Sequence, residues 1–430
     1  MTEKTTVDTH KRTPVLRRSR RDWWAVAALS AVTAAAIGGV VATAPINDSQ
    51  LSPANPSYEQ PLALNFLGFS YSTAWQAPAQ DASNFRPVVT GGLVISAVQE
   101  GSDWVINALE PESGDTLWSY RRDVELCSLQ QAWDSVVAVY KTGVGCGDVV
   151  RIDSATGTYK ATRSALAASP VVPVSSNDRV GIVAPSRMEL WRSDLVRTLE
   201  YGEVSAKQEP GLQPHEDCVI SSALTRTENV AVVQTCQGQE WLRLLKATPK
   251  ESRTPEVTAS VALTGKGNQV VAIDQQGAAV YSPAQSASES ATITSYDKDG
   301  NPRNSTGASA APLVDEATKA AHEVAFAPQT ADLPHHMSWF DGDKLYLFMP
   351  STLDVVHVFP DAIGTPIALN NMVVYPTTEG LTAVNWDNGA VTRTIPIDRG
   401  GYQGPVSLQV TGHYIVEKRG DTVAVLHPGS

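Results

Sequence analysis

Residues 91–120 read GGLVISAVQEGSDWVINALEPESGDTLWSY. Two apolar stretches are followed by a Pro-Glu-Ser-Gly-Asp turn and a third stretch carrying Trp118. Residues 133–162, WDSVVAVYKTGVGCGDVVRIDSATGTYKAT, repeat the plan, as do residues 371–396, NMVVYPTTEGLTAVNWDNGAVTRTIP. A unit of roughly 40 residues built as strand, strand, glycine turn, strand is the signature of a propeller blade. The expected fold is therefore all-β: a ring of four-stranded antiparallel blades over residues 66–430, preceded by one transmembrane helix.

Working outward from these three units, blades fall at about 86–123, 124–165, 169–202 and 215–262. A fifth opens at Gly267, a sixth contains Lys344 to Pro360, a seventh spans about 366–398, and an eighth starts at Pro405. Eight blades is the count. Seven stays open because residues 282–334, rich in Ser, Ala, Thr and Pro, carry weak strand signal after Asn304. That stretch is expected to hold a long surface loop, either a contact-bearing one or a tolerated insertion.

The eighth unit is one strand short. Residues 70–76, SYSTAWQ, match the outermost strand of the first blade, and Trp75 lies 43 positions before Trp118. A strand carrying Trp75 is expected to complete the last blade and close the ring.

Residues 1–22 hold seven basic side chains (Lys4, Lys11, Arg12, Arg17, Arg18, Arg20 and Arg21) against Glu3, Asp8 and Asp22. With a formal charge of −12 overall, the remainder carries −16. Such an acidic body argues against nucleic acid, whose phosphates it repels. From Trp23 to Pro45 there is no charge, a run long enough to cross a hydrocarbon core at about 1.5 Å per helical residue. The expectation is a basic cytoplasmic segment (1–22), a signal anchor (23–45) and a folded body outside the cytoplasmic membrane. A signal peptide cleaved after Ala44 is the alternative, although Pro45 hinders such a cut. Residues 19–24, SRRDWW, loosely fit a twin-arginine export signal, and the same arginines serve as positive-inside charge. Residues 46–65, with prolines at Pro53, Pro56 and Pro61, read as a tether.

Cys127 and Cys146 are nineteen apart, and Cys218 and Cys236 eighteen apart. Each pair brackets the same piece of its repeat. Antiparallel strands bring those two ends together, so disulfides Cys127–Cys146 and Cys218–Cys236 are expected, as suits an exported chain. Zinc is the rival reading, without a Cys-x-x-Cys spacing to support it.

Residues 108–118, ALEPESGDTLW, resemble the repeat of quinoprotein-like propellers; residues 152–157 and 384–389 are similar in a weaker form. In that repeat Gly114, Gly157 and Gly389 allow a tight hairpin turn, while Trp118 and Trp75 cover the groove to the next blade. The family includes pyrroloquinoline-quinone alcohol dehydrogenases. It also includes the eight-bladed, non-enzymatic scaffold lipoprotein of the outer-membrane β-barrel assembly machine. The layout of basic start, single anchor, proline tether and divergent propeller is similar to envelope proteins of corynebacteria and mycobacteria. Quinone enzymes of the family hold calcium through Glu and Asn, with a catalytic Asp and often a vicinal Cys-Cys ring. No Cys-Cys dipeptide occurs here, and no such set falls at matching positions.

Other chemistry is thin. Residues 297–301, DKDGN, have part of a calcium loop without its downstream Glu, and read as a hairpin turn. His335 and His336 are adjacent, so on a strand they face opposite ways. Residues 68–72, GFSYS, lack the second glycine and the strand-to-helix context of a nucleophile elbow. Asn304-Ser305-Thr306 is a glycosylation sequon meaningful only in a eukaryotic secretory route. The expected function is a non-enzymatic envelope scaffold that binds another envelope protein and uses no cofactor. The alternative is a ligand-binding or quinone-dependent dehydrogenase propeller using the central channel.

Overall fold

A computed structural model describes residues 19–60, 66–81, 83–204, 207, 209–320 and 322–429. The basic positions of residues 1–18, and the tether's residues 61–65, lie outside these.

The N-terminal unit contains one long helix, Arg20–Ala42, apolar enough and long enough to cross a membrane. Ser19 caps it: its Oγ accepts from the Asp22 amide at 3.3 Å, and Asp22 Oδ2 accepts from the Ser19 amide at 2.6 Å. The helix starts and ends three residues earlier than the uncharged run. The reason lies at each end, in that cap and in Pro45, which disfavours a helical residue before it.

The second unit is an eight-bladed propeller. The first strands of the blades are Val88–Thr90, Leu126–Ala132, Val172–Ser175, Val219–Arg226, Gln269–Ile273, Gln329–Asp332, Ile367–Leu369 and Val406–Thr411. They ring the axis: successive members touch from blade one to blade six, and blade eight's touches those of blades seven and one. Each is followed outward by three antiparallel strands. Both faces of the middle strands are buried between neighbouring blades, which is why they read as near-continuous apolar runs: LVISA, SVVAV, NVAVV and TVAVL.

The ring is closed by the strand Tyr71–Pro78, which forms the outer edge of blade eight against Thr422–Pro428. Trp75 sits opposite Val425.

Two segments depart from the sequence reading. The stretch 282–334 is mostly regular structure. Ala291–Tyr296 and Pro302–Ala308 are the outer strands of blade five, and Gln329–Asp332 opens blade six. The connection between these blades carries the helix Pro312–Lys319, packed through fully buried Val314, with Ala311 beside it. Pro302–Ala308 reads as loop in the sequence because it is an exposed outer strand whose residues, PRNSTGA, have no apolar alternation. Second, the supposed tether is fastened down. Ser49–Ser52 adds a fifth strand to the outer edge of blade one. Ala54 and Tyr58 then donate backbone bonds to Thr156 and Ala155 of blade two at 3.0 and 2.9 Å. Leu51, Ala54 and Tyr58 pack against the core between those blades.

Cys127 and Cys146 are joined, with their Cα atoms 6.0 Å apart, as are Cys218 and Cys236 at 4.5 Å. Each bond closes a loop of nearly twenty residues and is expected to contribute about 3 kcal/mol. Non-reducing peptide mapping should recover these two pairs. Reduction should lower the unfolding midpoint by several degrees, and crossed pairs or four free thiols would contradict the geometry.

Candidate functional site

Two kinds of site follow from this architecture: the joints between blades and the channel they enclose. The joints hold the residues singled out from the sequence.

Every outer strand skips one residue in its pairing, always the one before a joint position. The skipped residues are Ala74, Leu117, Lys160, Thr198, Thr258, Arg303, Val356 and Thr392. Such a bulge bends the strand and re-aims the next side chain. That side chain is Trp75 in blade eight and Trp118 in blade one, and each reaches the last turn of the following blade. Trp118 Nε1 donates to the Ser154 carbonyl at 2.7 Å, and Trp75 Nε1 to the Pro111 carbonyl at 2.9 Å. Gly157 (φ +64°) and Gly114 (φ +79°) lie beneath the indoles, where an added Cβ would come within 2.6 and 3.0 Å of ring atoms. Gly389 (φ +69°) lies likewise beneath His357 of blade six.

Blades three and six invert the arrangement. Leu195 and Leu353 take the left-handed turn position at φ +60° and +58°. The residue packed near Leu195 from blade two is the smaller Ala161, and from blade five Arg303 donates to the Ser351 carbonyl of the turn before Leu353 at 3.1 Å. A bulky residue at positive φ is strained, but both leucines are almost wholly buried, and burial of about 1.5–3 kcal/mol offsets the strain. At the closure Arg393 holds the corresponding place. It donates to the carbonyls of Leu67 and Gly68 at 3.3 and 3.0 Å and lies 4.5 Å over the Phe69 ring. The segment before Tyr71 thus serves as the missing turn of blade eight.

The remaining sequence candidates resolve into structural roles. Asp297 Oδ1 accepts from the amides of Asp299 and Asn301, both at 2.9 Å, closing a hairpin. His335 and His336 lie in a turn, not a strand, so both stand beside Trp386, at 4.5 and 6.2 Å. Burial, with His357 and His335 nearby, holds His336 below its usual pKa. Gly68 to Ser70 enters a strand, with no helix after it. Asn304 is in the outer strand of blade five. His215 stands near Cys218 and Cys236, but those sulfurs are bonded to each other.

Described residues of the channel wall line two cavities. The mouth at the blade hairpins that follow the first strands has about 570 Å³, between Gly91-Gly92, Trp133-Asp134 and Gly412. The Trp133-Asp134 turn is held by Arg151, which donates to the Trp133 carbonyl at 3.1 Å and stacks on its ring at 5.3 Å. Deeper in lie about 170 Å³ walled by Asn84, Phe85, Arg86, Gln130, Gln131 and Gln409, with prolines between. Asp134 is the one carboxylate among the described residues lining either cavity. A quinone with its calcium needs several oxygen ligands and a base converging on one point. These walls do not fit that group.

Sequence reading missed a charged cluster between blades two and three. Arg187 bonds Glu189 and Glu200, Arg163 reaches Glu189 at 3.0 Å, and Arg197 reaches Glu200 at 2.6 Å. Trp191 Nε1 also donates to Glu189, at 2.9 Å. Despite desolvation, Arg187 and Arg163 hold Glu189 below the usual carboxylate range. Alternating charge in RMELW reads from sequence as a solvated face. The only signal against that reading is that the residues between are all large and apolar.

No family model matches the chain, and no curated protein resembles it in sequence. Solved structures of similar shape include BamB from Moraxella catarrhalis, at 12% identity and TM-score 0.47, covering 83% of this chain and 99% of that one. Saccharomyces cerevisiae Sqt1 aligns at 9% identity and TM-score 0.49, over 86% of this chain and 100% of the other. The Neurospora crassa Pan2 WD40 domain aligns at 7% identity and TM-score 0.43, over 86% and 98%.

Proposed function

We propose that the protein is a non-enzymatic interaction scaffold: a propeller held outside the cytoplasmic membrane by its N-terminal helix, binding another protein of the cell envelope. The observation that carries this reading is the contrast between the channel and the rim. Among the described residues, the channel walls offer amides, prolines, the Arg86 guanidinium and a single carboxylate. Around it, eight blades joined edge to edge present a broad rigid surface of turns. Such a surface is large enough for the ~800 Å² per partner of a stable complex. The formal charge of −12 favours a partner with a basic patch, so binding weakens with salt. The basic start and uncharged helix favour a cytoplasmic N-terminus.

The experiment is crosslinking in intact membranes, followed by binding of the identified protein to purified full-length chain at increasing ionic strength. Saturable, salt-weakened binding is expected. External protease on wall-stripped cells should digest the propeller, and its protection would overturn the topology. Oxidation of alcohols or sugars above background after loading with pyrroloquinoline quinone and calcium would overturn the scaffold reading.

A further inference from the structure

The two disulfides hold the same place in their blades but lie in different surroundings. Cys127–Cys146 rests against an apolar cluster that includes Val137, Val139 and Val149. Beside Cys218–Cys236 stands His215, with a ring nitrogen within 4.8 Å of both sulfurs, the one such donor set among the described residues. Local structure sets this spacing. His215 and Cys218 are joined by a turn in which the Cys218 amide donates to the His215 carbonyl at 3.2 Å. Cys236 ends the strand Asn229–Cys236, which pairs with the strand that Cys218 leads into.

A further set of residues orients these three. Tyr201 packs edge-on against the His215 ring at 6.4 Å, and its hydroxyl donates to Gln234 Oε1 at 2.7 Å. Gln234 is wholly buried, and its Nε2 donates to Cys236 Sγ at 3.3 Å. A neutral disulfide gains little from an N–H donor, whereas a metal-bound thiolate is stabilised by one. A cavity of about 450 Å³ opens on Cys218, walled by Glu203, Glu216, Asp217, Lys207 and His322. Lys207 is paired with Glu216 at 2.6 Å. The walls are thus net acidic and draw cations in.

We propose that His215, Cys218 and Cys236 form a redox-gated site for a borderline-soft divalent cation of the zinc class, closed as the disulfide and open once that bond is reduced. With about 2.3 Å to sulfur and 2.0 Å to nitrogen, the ligand atoms of a tetrahedral zinc stand about 3.5–3.8 Å apart. Breaking the bond lets the sulfurs part to that spacing, and the imidazole is already within reach. Water takes the fourth position. The reductant is a dithiol. One of its thiolates attacks Cys236 Sγ, the more exposed sulfur, and Cys218 leaves as a thiolate and takes a proton. The second thiolate then attacks the first across the mixed disulfide. The dithiol ends as a disulfide, and Cys236 is released and protonated. Two electrons and two protons have passed to the protein, and both protons leave again as the cation binds. This goes beyond the scaffold reading and stands or falls separately from it.

The test uses the full chain in detergent, reduced with dithiothreitol, freed of it without oxygen and titrated with Co²⁺. A single equivalent is expected to give the thiolate charge-transfer and visible bands of a tetrahedral site, and the unreduced chain none. Zn²⁺ should bleach these bands and raise the thermal midpoint of the reduced chain by a few degrees, leaving that of the oxidised chain unchanged. In the reduced wild type, Zn²⁺ should shield Cys218 and Cys236 from maleimide, but not Cys127 and Cys146. His215→Ala should lose the tetrahedral bands, and Gln234→Leu should weaken Co²⁺ binding by roughly tenfold or more. Missing bands in the reduced wild type, equal binding to the oxidised chain, shielding of the other pair, or undiminished bands in His215→Ala would each overturn the proposal. So would a reduced wild type that has no cooperative transition and gains none with Zn²⁺. If His215→Ala fails to fold, the wild-type shielding pattern decides.

Discussion

Deleting residues 66–80 is expected to abolish the cooperative thermal transition of the propeller. The deletion removes the whole outer strand of blade eight, which pairs with Thr422–Pro428 along its length. It also removes both joints at the closure. Trp75 no longer covers Gly114 of blade one, and Arg393 of blade seven loses the Leu67 and Gly68 carbonyls. Leu67 and Tyr71, both more than nine-tenths buried in the core between blades seven and eight, go with them. Three large side chains at about 1.5–3 kcal/mol each already approach the net stability of about 5–15 kcal/mol typical of a folded domain. The lost strand bonds come on top. Calorimetry of the purified deletion chain should therefore show no sharp endotherm. An unchanged midpoint would show that the ring closes in another way.

Glu417→Ala is expected to be the most damaging single substitution in blade eight, at about 3–5 kcal/mol. The Glu417 carboxylate is wholly buried. It accepts from Arg399 Nε and Nη2 at 3.1 and 2.9 Å and from Arg419 Nε at 2.7 Å. Arg399 also ties the Thr377 and Gly380 carbonyls of blade seven to this group. Removing the carboxylate leaves two buried guanidiniums facing each other with nothing between them. The drop in denaturant midpoint should be large, with the m-value preserved. Glu417→Gln should recover part of it by keeping an acceptor oxygen. A change under about 1 kcal/mol in the alanine variant would mean that water enters and solvates the arginines.

How much of this was legible in the sequence follows from what each position does. Gly114 with Trp118, and Gly157 after it, could be read because the joint there uses an extreme pair, the largest side chain over the smallest. The same joint in blades three and six uses Leu195 and Leu353 in the glycine position. Leucine at positive φ has no sequence signature, which is why the repeat fades in those blades. The closing strand was legible through Trp75 and its 43-residue spacing. The strand Ser49–Ser52 was not. It has four residues, SQLS, with only Leu51 packed against the core. The strand bulges were also hidden, because they are a matter of pairing and leave no residue type behind. Arg86 gave no signal either: a lone arginine beside proline looks like any surface loop. Only the ring built from seven other segments makes that place an interior.

The bulge shared by all eight outer strands also bears on how these molecules behave when crowded. Apart from blade one, where Ser49–Ser52 lies alongside, each blade ends in a strand with an outward edge, and a row of such edges invites neighbouring rings to stack side by side into aggregates. A straight partner strand needs an unbroken run of evenly spaced donors and acceptors. Each outer strand breaks that run near its start, after three positions at Ala74 and after the first at Leu117, Lys160 and their counterparts. The offset that aims a side chain at the next blade therefore also spoils the edge as a template, so solubility comes from the same residue that locks the ring.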